Sequence, residues 1–237
     1  MEWRQYAERL KEVLKLKGSP VAVTYSMKPA AGTAEAKAWA CRALLGARDG
    51  NTFCLSKDTS SCPGGTWHLG LGPPPTGDAG KALKKFLVHG EKLFCSIATF
   101  HRAVHLTTDP PLGLADYVIF SPLEMADQKP DLVVFLCNPE QACRLLTLAQ
   151  YATGVPPRTE MGGSTCHMVV AYPIVSGEIN VSLLDYTSRR LQKFAEDELA
   201  VSIPYPHMGH VVGSIESCSA GTASIEGLKR MLRAMQR

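Results

Sequence analysis

The sequence predicts a mixed fold, α/β or α+β, in which a single sheet of several strands carries helices packed on its faces. Three observations lead there. Strand-like apolar runs alternate irregularly with helical periodicities, and one of them, Leu132–Cys137, passes through Asn138-Pro139-Glu140 directly into a helix reaching about Tyr151. The chain of 237 residues is 45% apolar, enough for a sizeable core. The order of the strands leaves no mark in the sequence.

Each element has its own warrant. Trp3, Tyr6, Ala7, Leu10, Val13 and Leu14 recur at helical spacing among charges, which predicts an amphipathic helix over residues 2–17, ended by Gly18. Pro20 to Tyr25 then reads as a strand. Thr33 is the expected cap of a helix from Ala34 to Leu45 that stops near Gly46, and Asn51 to Leu55 returns to extended structure. Ser61-Cys62-Pro63-Gly64-Gly65 opens like a helix N-terminus, with proline suited to the first turn. Pro73-Pro74-Pro75 is a loop, too short to separate independent units, and residues 79–89 look helical. Residues 1–237 are therefore read as one domain. Tyr117 to Phe120, Met168 to Ala171 and Ile179 to Leu184 are predicted strands, the last two flanking a Ser176-Gly177 turn. Helices are expected from about Ser188 and near 223–236.

Composition narrows the function classes. Lys and Arg number 25 against 22 Asp and Glu, too slight an excess for a dedicated nucleic-acid surface. No apolar run approaches the roughly 20 residues of a membrane-spanning helix, and Met-Glu-Trp-Arg does not begin a secretory signal, so a cytoplasmic location is expected. Eight cysteines spread over a chain of this length are expected to be thiols, thiolates or ligands, not a disulfide framework. Phosphate-binding loops, the dinucleotide Gly-x-Gly-x-x-Gly turn, close Cys-x-x-Cys pairs and the Gly-x-Ser-x-Gly elbow are missing, so any site must be assembled by folding.

Among the cysteines, Cys62 has the strongest local argument. A thiolate at a helix N-terminus gains from the helix dipole and from free N–H donors, and Gly64 and Gly65 allow a cofactor close to the backbone. A packed thiol beside a Pro-Gly-Gly turn is the plain alternative. Cys166 follows the flexible, donor-rich Gly162-Gly163-Ser164-Thr165, while Cys41 has Leu44 and Leu45 at helical offsets and reads equally well as a core thiol. Cys54, Cys95, Cys137, Cys143 and Cys218 are read as buried small hydrophobes. His101 with His105, and His207 with His210, have spacings compatible with a metal but more often found in ordinary histidines. Arg189 and Arg190 are read as a solvated helix face before an anion site.

The ordered set Cys41-Arg42-Ala43-Leu44, Cys62-Pro63-Gly64-Gly65, Ser121-Pro122-Leu123, Pro130 to Val134, Asn138 to Ala142, Thr165-Cys166, Asn180-Val181-Ser182, Arg189 and Glu198 to Pro204 resembles the domain of unknown function 169 family. The resemblance runs through most of the chain. It implies matched cysteines at Cys41, Cys62 and Cys166, with Asp185 where a further family cysteine commonly falls. Three thiolates and a carboxylate can hold an iron–sulfur cluster or a single metal ion such as zinc. The leading expectation is thus an iron–sulfur or thiolate–metal protein with Cys41, Cys62 and Cys166 as ligands, Asp185 as a fourth, and a redox partner or small molecule as its counterpart. A metal-free thiol enzyme or redox sensor using Cys62, and a non-catalytic small-ligand module, are the alternatives.

Overall fold

A computed structural model describes residues 2–31, 37–223 and 226–236. Its centre is one six-stranded sheet, ordered β2-β3-β1-β4-β6-β5, with every neighbouring pair antiparallel. The strands are β1 (Val21–Ser26), β2 (Phe53–Leu55), β3 (Tyr117–Pro122), β4 (Leu132–Cys137), β5 (Asn180–Ser182) and β6 (Leu199–Pro204). Helices cover both faces, so the mixed-sheet architecture expected from the sequence is the one observed. All six residues of central β4 are buried, and for that reason its sequence is a continuous apolar run without alternation.

One face of the sheet packs on α1 (Glu2–Leu14), α6 (Pro139–Thr153) and α9 (Tyr205–Gly213). There Ala22, Val133, Phe135, Val201 and Ile203 meet Leu10, Leu14, Leu145, Leu148 and Met208. The other face, with Val21, Val23, Val118, Phe120, Leu132 and Val134, is covered by α2 (Ala40–Arg48) and by a helical segment containing Val169 and Val170. This second face carries the candidate site.

Around it lie α3 (Pro63–His68), α4 (Gly77–Lys85, running on as a π-turn over Phe86–Gly90), α5 (Ile97–His105), α7 (Tyr172–Ser176) and α8 (Tyr186–Gln192). The short α10 (Ser219–Thr222) and α11 (Glu226–Met235) complete the described chain. No helix of the described residues is long and apolar enough to cross a membrane.

Several expectations need correction. The helix from Thr33 falls in part on residues 32–36, outside the described residues; what is described begins at Ala40 and continues through Gly46 to Arg48. Gly46 is no stop signal. A Cβ there would lie 2.4 Å from the Phe53 ring, so the residue is small because β2 crosses the helix at that point.

Met168 to Ala171 is not a strand but part of a π-turn, His167–Ala171, which leads into α7. The β-branched run is buried on all sides, where periodicity cannot separate strand from helix. The widened turn has a local cause, because Pro173 has no N–H to offer the preceding turn. Ser202 Oγ instead donates to the Val169 carbonyl at 2.7 Å, and Asn180 Nδ2 donates to the Met168 carbonyl at 2.8 Å. Strand β6 and helix α9 were not anticipated, and the last helix is described only from Glu226.

Candidate functional site

Cys41, Cys62, Cys166 and Asp185 each stand at the first turn of a helical segment. Cys41 is the second residue of α2, whose extended N-cap is Trp39. Cys62 is itself the N-cap of α3, and its Sγ accepts the Gly65 N–H at 3.5 Å. Cys166 follows Thr165 at the start of the helical segment that becomes the π-turn. Asp185 is the N-cap of α8.

Two local stitches bring these ends together in pairs. Ala38 and Ser60 form a parallel bridge, in which the Ala38 N–H donates to the Thr59 carbonyl and the Ser61 N–H to the Ala38 carbonyl. This lashes the approach to α2 against the approach to α3. A Cβ on Gly65 would stand 3.5 Å from that of Ala40 and 3.6 Å from that of Cys62, ordinary contact distances that show how closely the two helix ends approach. Gly64 lies inside α3 and leaves Cys62 Sγ open on that side, 3.9 Å from where its Cβ would be.

The second stitch joins Thr165 and Asp185. Asp185 Oδ2 accepts the Thr165 N–H at 2.7 Å, while Thr165 Oγ1 accepts the Asp185 N–H at 2.9 Å. Asp185 Oδ1 accepts the Ser188 N–H at 2.7 Å, and the Thr165 and Ser188 hydroxyls meet at 2.6 Å. Asp185 is therefore a cap for two helical segments at once, its own and that of Cys166. Helix α2 packs against both α3 and α8, and α3 against the π-turn, which joins the two pairs into one cluster.

Electrostatics reports the same proximity. Burial pushes the Cys41 thiol up to about 12, and the neighbouring negative charges of Cys62 and Asp185 push the same way. Burial first, then Cys41, Cys62 and Asp185, raise Cys166 well above the ordinary thiol value. Tyr25, at the end of β1, is likewise raised by burial and then by Asp131, Asp109 and Cys166. Among the described residues its buried hydroxyl has no hydrogen-bond partner. The thiols act on one another's charge, yet among the described residues no group of three or more His, Cys, Asp or Glu side chains is set to hold one metal ion.

Next to the thiols lies a pair of imidazoles that no sequence spacing pointed out. His68, at the end of α3, is stacked on Trp67 with ring centroids 4.5 Å apart, and its Nδ1–H donates to Asp109 at 2.7 Å. His167, immediately after Cys166, is 1% exposed, and its Nε2–H donates to the Thr108 carbonyl at 3.1 Å. The two rings are 5.5 Å apart. Burial and then His68 hold His167 below the usual histidine value, which favours the neutral ring. Gly163, with φ +95°, lets the chain turn tightly over Met168 and His167.

The remaining candidates sort plainly. All eight cysteines are free of disulfides. Cys137 and Cys218 are core thiols and Cys54 is buried, as expected, but Cys95 and Cys143 are exposed. Cys143 lies on the outer side of α6, while Cys95 lies just before α5 beside Leu93 and Ile97, which are themselves exposed. His101 and His105 do lie on one helix, both exposed, while His207 Nε2 donates to the Gly177 carbonyl. Arg189 is neither a solvated face nor an anion site. Its guanidinium donates to the carbonyls of Leu183, Ala195, Glu196 and Glu198 and so clamps the loop before β6.

A family model described as an uncharacterised ArCR, domain of unknown function 169, matches residues 9–214. No curated protein and no solved structure matches the chain.

Proposed function

Because the chain belongs to the domain of unknown function 169 family, whose description carries no reaction, we propose from the site itself that Cys41, Cys62 and Cys166 are thiolate ligands of an iron–sulfur cluster, with Asp185 at the fourth side. The observation that supports this reading most is the assembly of three cysteines and a carboxylate from four helix starts, stitched in pairs by Ala38–Ser60 and Thr165–Asp185.

The donor set fits such a group. Thiolates favour iron–sulfur clusters or zinc over magnesium and calcium. A cluster takes its cysteines at the corners of a body wider than a single ion, so the separate helix ends need not meet at one point. Burial and mutual negative charge disfavour free thiolates at Cys41 and Cys166. An iron centre reverses that preference, since a coordinating thiol is deprotonated outright. The same burial works against a metal-free mechanism that needs either of these two as a low-pKa nucleophile. The orphaned Tyr25 hydroxyl is a donor ready for a cluster sulfide or a bound ligand.

Asp185 keeps lone pairs after accepting its two backbone N–H bonds, so capping and ligation are compatible. Either a carboxylate ligand or an open iron gives a corner unlike the other three, which suits redox exchange with a partner or binding of a small molecule there. Anaerobic reconstitution with iron and sulfide tests the reading. We expect visible sulfur-to-iron absorption and stoichiometric iron that is lost in each of Cys41→Ala, Cys62→Ala and Cys166→Ala. A folded wild-type chain that retains no iron rejects it.

A further inference from the structure

Beyond the thiol site, we infer that His68 and His167 form a separate site for one divalent transition-metal ion of the zinc or iron(II) type, with Asp109 and Thr108 setting the two rings. Metal-ligating histidines characteristically donate their other ring N–H to a carboxylate or a backbone carbonyl, which fixes the tautomer and aims the bare nitrogen. Both arrangements occur here, and two consecutive residues supply them. Asp109 takes the Nδ1–H of His68 at 2.7 Å, and the Thr108 carbonyl takes the Nε2–H of His167 at 3.1 Å.

A carbonyl can only accept, so His167 must carry its proton on Nε2, which leaves Nδ1 as a bare lone pair. That Nδ1 is buried and, among the described residues, has no hydrogen-bond partner, on a ring only 1% exposed. A buried acceptor left unsatisfied costs about 1–3 kcal/mol, so the position calls for an occupant. On His68 the nitrogen opposite Asp109, Nε2, takes no hydrogen bond among the described residues, and Trp67 holds the ring plane. Ring centroids 5.5 Å apart suit two ligands with bonds of about 2.0–2.1 Å to one ion between them. Imidazole nitrogen selects zinc, iron, nickel or copper over magnesium and calcium. Two protein ligands leave coordination positions for water or a small substrate.

The test uses the full wild-type chain, stripped of metal under anaerobic conditions and labelled with ¹⁵N-histidine, with zinc titrated to three equivalents. Long-range ¹H–¹⁵N spectra should show His167 protonated on Nε2 before zinc. Zinc should then shift His167 Nδ1 and His68 Nε2 while both distal N–H groups persist. Unshifted resonances of both bare nitrogens at saturating zinc overturn the site. Cobalt(II) separates it from the cysteines, because only thiolate ligation gives an intense sulfur-to-cobalt band. That band with no histidine shift rejects the imidazole site and leaves the thiol site standing; a histidine shift without the band assigns the bound ion to the imidazoles and not to the cysteines. Asp109→Asn should weaken zinc binding at the histidines by about 10–100-fold with the fold intact. Unchanged affinity in that variant overturns the positioning role of Asp109.

Discussion

Replacing Asp185 by Ala separates its structural work from its proposed chemistry. The carboxylate accepts two backbone N–H bonds of 2.7 Å, one from Ser188 in its own helix and one from Thr165 twenty residues earlier. Loss of the N-cap bond costs about 0.5–2 kcal/mol. The Thr165 N–H, on a residue 2% exposed, is left without its acceptor, which costs about 1–3 kcal/mol more. The expected destabilisation is thus about 1.5–5 kcal/mol, or roughly 3–20 °C in Tm for a chain of this size. Asp185→Asn keeps one acceptor oxygen and should lose about half of that. Urea denaturation followed by circular dichroism measures both variants without cofactor. A change below about 0.5 kcal/mol for Asp185→Ala would refute the double-cap assignment. Under anaerobic reconstitution, Asp185→Cys should retain iron with an altered spectrum, since thiolate donates more charge to iron than carboxylate does. Identical spectra and iron content in wild type, Asp185→Ala and Asp185→Cys would reject ligation by Asp185 and leave a three-cysteine site.

Other consequences are quickly checked. Gly46→Ala places a methyl 2.4 Å from the Phe53 ring and should destabilise by about 1–3 kcal/mol by equilibrium unfolding, despite the better helix propensity of alanine. Ser202→Ala leaves the Val169 carbonyl facing Pro173 with no donor and should cost about 1–3 kcal/mol; a neutral result would show that the π-turn does not depend on this bond. In the native apoprotein a thiol reagent should modify exposed Cys95 and Cys143 first, and buried Cys41, Cys137 and Cys218 only on unfolding, as mass spectrometry of digested samples will show. The raised Cys41 and Cys137 values mean that unfolded thiols ionise before folded ones. Their contribution to stability is fully present below about pH 9 and is lost as pH rises toward about 12; Cys41→Ala should flatten that alkaline fall in urea midpoints.

The sequence was most legible where a local pattern coincides with burial. The apolar run of β4 and the Asn138-Pro139-Glu140 start of α6 are local signals, and the capping box between Asn138 and Gln141 shows why they suffice. Met168 to Ala171 misled because a wholly buried segment has no polar face, and the decisive partners, Asn180 and Ser202, are distant in the chain. Strand β6 lacks alternation for the same reason, being buried along nearly its whole length. At the site, Cys62 announced its helix start through Pro63, but the double duty of Asp185 depends on Thr165, and no spacing rule links them. His68 and His167 carry no sequence signal, because the two lie far apart in the chain and not at a one-turn helical separation. These two are brought together by a loop, through Thr108 and Asp109, that has no periodic signature.

The pairwise stitching of the site has a mechanical meaning. Residues 38–66 form one half and residues 165–188 the other, each closed by its own short-range bonds. A group bound to both Cys62 and Cys166 is therefore a cross-link between halves 104 residues apart in the chain. By the chain-entropy argument used for disulfides, closing a loop of that size restricts the unfolded ensemble by close to 5 kcal/mol, as long as the link survives unfolding. Loading the site would thus act as a reversible staple across the sheet face, and chelation would cut it while leaving each half sewn to itself.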